Sequence, residues 1–262
     1  MKIIITSILA VLLIIFFTIR KTDQESKLRV FNILETEIIG DSSNVLENDS
    51  SGFNIAYYED FEVYEYPIMK LVSDTSSTMI NGNLTFMSKV SKDTLFNYYV
   101  AKTGGNKVFM YESVDSEAHT AIDRDSLLRK FNVDSLNLRS LNLELGSPYQ
   151  TIRNKKTNSI EIEHYVDRKP LDESYADTIS RYYDAKFKDI DFSYSPFLDK
   201  KNKSKLMLTR FIFLPRKVKQ KNGKEEIIPY REDSSLIRET KTKRHDIYLA
   251  LIKRFQKDSK VK

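Results

Sequence analysis

An apolar run that begins at Ile3 and ends at Ile19, broken only by Thr6, Ser7 and Thr18, constrains this chain more than any other feature. In hydrocarbon every backbone N–H and C=O must find an internal partner, so such a run inserts only as a helix. At about 1.5 Å per residue that helix is roughly 25 Å long, at the short end of what crosses a bilayer. Arg20 and Lys21 stop it. A cleaved export signal needs small residues just before the cut. Phe16, Phe17, Thr18 and Ile19 supply none, and Ala10 lies too early. The expectation is an uncleaved signal-anchor over 1–21, holding the chain to the lipid bilayer through the segment from Ile3 to Ile19. Counting Arg20, Lys21, Lys27 and Arg29 by the positive-inside rule keeps the bulk in the cytoplasm. A short basic tail ahead of an apolar run instead acts as an export signal. The second reading is adopted: a single-pass membrane protein of the cell envelope, with residues 53–262 on the periplasmic or extracellular side.

Beyond the anchor, the spacing of Leu28, Phe31, Leu34 and Ile38 predicts a juxtamembrane helix over 22–39. Residues 40–52, rich in Ser, Asn and Asp, read as a linker. From Phe53 the period becomes two: Phe53, Ile55, Tyr57, Phe61 and Val63 share one parity, as in a half-buried strand. Asn81-Gly82 and Gly104-Gly105 mark hairpin turns. The second turn pairs Ala101 with Val108 and Val100 with Phe109. The resulting meander is 84–90, 94–102 and 107–113, with Ser91-Lys92-Asp93 as its middle turn. Asp123 and Asp125 open a short helix that carries Leu127, Leu128 and Phe131. The near-duplicates Ser135-Leu136-Asn137-Leu138 and Ser140-Leu141-Asn142-Leu143 read as extended structure, since one copy cannot build a solenoid.

Further along, 160–167 alternates as a strand. Pro170 starts a predicted helix with Leu171, Tyr175, Ile179 and Tyr182 on one face. Residues 186–194 and 205–214 read as strands, the latter central because both its faces are apolar. Asn222-Gly223 closes a hairpin that sets Val218 opposite Ile227. Ile247, Tyr248, Leu251, Ile252 and Phe255 form the stripe of a C-terminal amphipathic helix. The fold class expected is α+β: a transmembrane helix, then a largely antiparallel sheet with a few short helices and that last helix.

The net charge of +5 hides a split: residues 200–262 hold 20 Lys and Arg against 7 Asp and Glu. Lys200, Lys201, Lys203, Arg216, Lys217, Lys219, Lys221, Lys243 and Arg244 are the candidate surface for an anionic partner, whether lipid headgroup, glycan or acidic protein. The plainer reading is a set of solvated hairpin tips. A cytoplasm-facing domain would bring nucleic acid or anionic lipid to the same residues, although no RNP-like or zinc-finger signature is present and nucleic acid is not expected.

Catalytic signals are sparse. With no Cys in the chain there is no thiol nucleophile, disulfide framework or Cys-ligated metal. Phosphate-cradling glycine loops and a nucleophile elbow are absent. His164 shares parity with Ile160, Ile162 and Val166, which places it on the apolar face. His119, flanked by Glu117 and Asp123, fits no metal signature; the pairs Asp123/Asp125 and Asp189/Asp191 have a spacing that can share a divalent ion on a phosphate or sugar-nucleotide substrate, but among 37 acidic residues that spacing also arises by chance. No metal or cofactor is expected. The function expected is non-enzymatic binding, scaffolding or assembly at the envelope. The rival is an envelope transferase or hydrolase using Asp or Glu, with or without a divalent metal, which requires His119 or His164 to meet two carboxylates in one concave pocket.

Overall fold

The computed structural model describes residues 27–40, 45–80, 83–130, 147–166, 176–219 and 224–260. Thirteen strands and three helices make up these segments. In chain order they are β1 Arg29–Gly40, β2 Val45–Tyr58, β3 Phe61–Ile80, β4 Asn83–Lys102, β5 Lys107–Tyr111, β6 Thr120–Asp123, α1 Arg124–Lys130, β7 Gln150–Arg153, β8 Ile160–Val166, β9 Thr178–Asp184, α2 Pro196–Asn202, β10 Lys205–Phe213, β11 Arg216–Lys219, β12 Glu225–Ile228, β13 Tyr230–Thr240 and α3 His245–Asp258. Eleven strands form one sheet in the order β6-β5-β4-β3-β2-β1-β13-β10-β9-β8-β7, and every pairing is antiparallel. The hairpin β11–β12 stands apart from it.

This is a mostly-β fold, and it corrects the α+β expectation. Arg29–Gly40, read as a helix, is β1, bonded to β2 on one side and β13 on the other. A strand buried on both faces presents apolar residues at both parities, and that pattern mimics a spacing of three and four. Val30 packs on one face of the sheet while Phe31 and Ile33 pack on the other. Residues 45–52, read as linker, extend β2, because the β1 ladder binds backbone whatever the side chains. Ser91, Lys92 and Asp93 are not a turn: β4 runs through them without interruption. Residues 178–182, given to a helix after Pro170, belong to β9, and 186–194 holds a 3₁₀ turn at Ala185–Phe187 rather than a strand. The β11–β12 register sets Val218 opposite Glu226, one residue from expectation.

Nor does the structure show the expected transmembrane signal-anchor. Among the described residues no helix is long and apolar enough to cross a membrane. The longest, α3, has 14 residues and carries Lys253, Arg254 and Lys257. At about 1.5 Å per residue it falls short of a ~30 Å hydrocarbon layer. The run from Ile3 to Ile19, the turn at Asn81-Gly82, the Leu136–Leu145 repeat, Pro170 and Asn222-Gly223 lie outside the described residues.

Two cores flank the sheet. On one face Phe31, Ile33, Phe53, Ile55, Tyr64 and Ala101 meet Leu127 of α1, Phe192 and Leu198 of α2. On the other, Ala56, Val63, Val100 and Phe109 meet Tyr248, Leu251, Ile252 and Phe255 of α3. Fully burying each of these α3 side chains stabilises by about 1.5–3 kcal/mol. The Gly104-Gly105 hairpin keeps the expected register, Ala101 with Val108 and Val100 with Phe109, and Gly104 takes φ +69.

β2 and β3 part company after a short ladder. Their pairing runs from Tyr58↔Phe61 only to Asn54↔Glu65. The next positions carry Pro67, which has no N–H to give, and Gly52, where a Cβ would lie 2.4 Å from the Ile33 carbonyl oxygen. Among the described residues, β3 pairs with β4 alone from Tyr66 to Ile80, and β5 joins β4 only over Tyr98–Ala101. The result is a two-stranded ribbon that leaves the sheet and runs roughly 50 Å at ~3.3 Å per residue.

Candidate functional site

The root of this ribbon is fastened from both faces of the sheet. Glu62 and Glu65 of β3 lie on opposite faces of the sheet, and both are buried, at 0% and 1% exposed. Each meets an arginine at the start of the helix that covers its face. Under α1, Glu62 Oε1 lies 2.6 Å from Arg124 Nη1, and Glu62 Oε2 accepts the Tyr64 hydroxyl at 2.6 Å. Arg124 also reaches Asp191 at 2.6 Å. Under α3, Glu65 pairs with Arg244, and its Oε2 accepts from the Tyr248 hydroxyl at 2.7 Å and from Asn54 Nδ2 at 2.9 Å. Arg244 donates to the Tyr98 hydroxyl at 2.5 Å and lies 4.4 Å above the Phe96 ring. A carboxylate in such a place is tolerable only because charge and hydrogen bonds meet it there.

The titration of these groups follows from burial. Desolvation raises the Glu62 carboxyl above its ordinary value, and the Arg124 and Tyr64 contacts pull against that rise. Burial pushes the Tyr57, Tyr64 and Tyr248 phenols far up, so they stay protonated; Tyr64 and Tyr248 donate to the two glutamates, while the Tyr57 oxygen accepts from Phe192 N. The arrangement clamps helices to a strand.

The sequence-derived chemistry candidates are dispersed. His119 Nδ1 sits 3.3 Å from Asp258 Oδ2, and its ring packs 4.1 Å from Phe109. His164 bonds Ser180 Oγ at 2.9 Å near the far edge of the sheet. The expectation for His164 is reversed: the buried face of β8 holds Glu163 and Tyr165, while Val166, of the same parity as His164, is exposed. Glu163 accepts the Tyr183 hydroxyl at 2.7 Å, which explains how a carboxylate occupies that face. Asp123 caps α1 through Ser126 N and Oγ, and those bonds hold its carboxyl low. Asp191 is engaged by Arg124, while Asp125 and Asp189 face solvent. Among the described residues no three His, Asp or Glu are placed to hold a metal. A shallow, open depression of about 510 Å³ lined by Asn106, Lys107, Ala121, Ile122, Asp123 and Ser126 brings no histidine to a carboxylate.

The nine basic candidates fall in three places. Lys200, Lys201 and Lys203 are exposed at the end of α2, where Lys203 takes φ 52 as the left-handed cap. Arg216, Lys217 and Lys219 lie on β11; Arg216 is held by Asp177 at 2.6 Å, and Lys217 is exposed. Lys243 is exposed ahead of α3, whereas Arg244 is committed to Glu65. Lys221 lies outside the described residues. Because α2 and α3 cover opposite faces, the first and last groups are separated by the sheet.

Sequence reasoning missed Glu65, Arg124 and Arg244 as a system. One signal was present: Glu62 and Glu65 flank Val63 and Tyr64, so no parity of that strand is free of a charge. By fold and site this is a mostly-β protein: one broad antiparallel sheet, helices clamped on both faces, and a projecting ribbon. No protein-family model matches the chain, and no curated protein matches it.

Proposed function

We propose that the protein has a non-enzymatic role in binding, scaffolding or assembly, and that the β3–β4 ribbon is the element that meets the partner. The ribbon carries this reading: two strands of 20 residues each run far past their neighbours, on a root locked from both faces. A rigid base with a long exposed ladder suits main-chain recognition, in which free strand edges supply hydrogen bonds. Near the root, Ile68, Met69 and Leu95 are 37%, 72% and 50% exposed, an apolar set that water does not favour. A photocrosslinking residue placed at the exposed Thr94 is expected to capture a macromolecule in cells, while the same residue at the exposed Ala250 on α3 captures none. Absence of any adduct from Thr94 overturns the reading.

A second reading, an anionic partner at the C-terminal third, is favoured by the exposed Lys200, Lys201, Lys203, Lys217 and Lys243. Their joint replacement by Gln is expected to shorten retention on heparin beyond the shift produced by an equal number of exposed lysines elsewhere. Equal shifts reject it.

A further inference from the structure

We infer that the ribbon's partner is a second copy of this chain, joined through the outer edge of β4 about a two-fold axis at Ser91; this rests on the ribbon being the binding element. Over Asn83–Asn97 the ladder of β4 lies on its β3 side alone, so its other edge is open among the described residues. That edge is long and regular. Its register with β3 runs from Phe61↔Lys102 to Ile80↔Asn83 with no bulge, and it contains neither Pro nor Gly. Bulges and prolines are what proteins use to blunt such edges. A lone two-stranded ribbon is marginal in water, and a third and fourth strand supply the missing ladder.

The sequence of β4 selects the partner and its register. A two-fold axis makes two copies of one strand antiparallel and places each residue opposite its mirror position. Centred on Ser91, the axis sets Lys89 opposite Asp93 of the other copy, so opposite charges meet twice. It also sets Phe86 opposite Phe96, Met87 opposite Leu95, Ser88 opposite Thr94 and Thr85 opposite Asn97. Like thus faces like, and charge faces countercharge, over a dozen positions; only Val90 with Lys92 departs from the rule. β3 offers no equivalent. Its own charge-matching centre, Val72, sets Lys70 opposite Asp74 but places Ile68, Met69 and Leu71 opposite Ser76, Thr75 and Ser73, and it carries Pro67. Cross-strand pairs are worth ~0.2–1 kcal/mol each, so a matched register prevails by summation.

The absence of Cys from the chain gives a clean test. Directly opposed antiparallel residues stand about 4.5–5.5 Å apart at Cα, within the span of a disulfide. In the full-length chain under mild oxidant, Ser91→Cys is expected to give a majority of covalent dimer. Lys89→Cys and Asp93→Cys are each expected to give little alone but to cross-link when mixed. Lys257→Cys on α3 serves as the collision control. Cross-linking at Ser91 no greater than at Lys257, or equal at all arm positions, overturns the two-fold register. If Ser91→Cys stays monomeric while the Thr94 photocrosslinker captures a different protein, the self-association fails and the binding role stands. If neither reacts, both fall.

Discussion

Along the β3–β4 hairpin, the half nearest the sheet and the half beyond it are the same two strands in one register, yet only the first is held from outside. The near half is flanked by β2 and β5, covered by α1 and α3, and pinned by Glu62 and Glu65. Among the described residues, β3 has no strand neighbour but β4 beyond Glu65. Strand propensity and pairing are shared by both halves, so the difference in constraint comes from tertiary contacts. Among the described residues the contacts that fasten the hairpin from outside are therefore gathered at the root.

The largest expected effect breaks the root. Arg124→Ala strands the Glu62 charge in the core and is expected to cost about 3–5 kcal/mol in urea unfolding, the range for breaking a buried pair. Tyr248→Phe removes one donor from Glu65 and is expected to cost about 1–3 kcal/mol by the same measurement. Leu95→Thr in the ribbon is expected to stay within about 0.5 kcal/mol at submicromolar protein, as a surface change should. A ribbon substitution as costly as Arg124→Ala would erase the contrast between the halves.

Acid titration sharpens the contrast through sign. The Glu62 pKa is raised by burial, so the stability it contributes is complete below the ordinary value of 4.5 and is lost as pH rises through its folded-state value. Glu232 of β13 is the reverse. Arg210 bonds it at 2.6 Å through both oxygens and lowers its pKa, so its contribution is present above 4.5 and is lost as pH falls through the folded-state value. Urea midpoints from pH 3 to 8 are expected to show Glu62→Gln gaining on the wild type as pH rises and Glu232→Gln losing ground over the same range. Parallel curves would reject both assignments.

Local features were legible from sequence where local chemistry decides structure. The Gly104-Gly105 register, the Asp123 cap and the buried stripe of α3 follow from turn, cap and periodicity rules. Misreadings fell where distant partners decide. Leu28, Phe31, Leu34 and Ile38 look helical until β2 and β13 claim both sides of β1. The polar stretch Asp49-Ser50-Ser51-Gly52 looks like linker until backbone pairing with Leu34–Glu37 makes it strand. The site was least legible of all, because Glu65 and Arg244 lie far apart in the chain and nothing nearby in sequence announces that they will meet.

The position of β13 has a consequence for how the protein is made. The strands β1 to β6 form one meander and β7 to β10 another, and among the described residues β13 alone bonds to both. Until the stretch around Leu236 leaves the ribosome, the nascent chain carries two half-sheets with raw margins at β1 and β10. Closure awaits contacts separated by most of the polypeptide's length, which predisposes to slow maturation. Truncations that reach back into β13 therefore do more than shorten the molecule: they leave it unzipped along its middle.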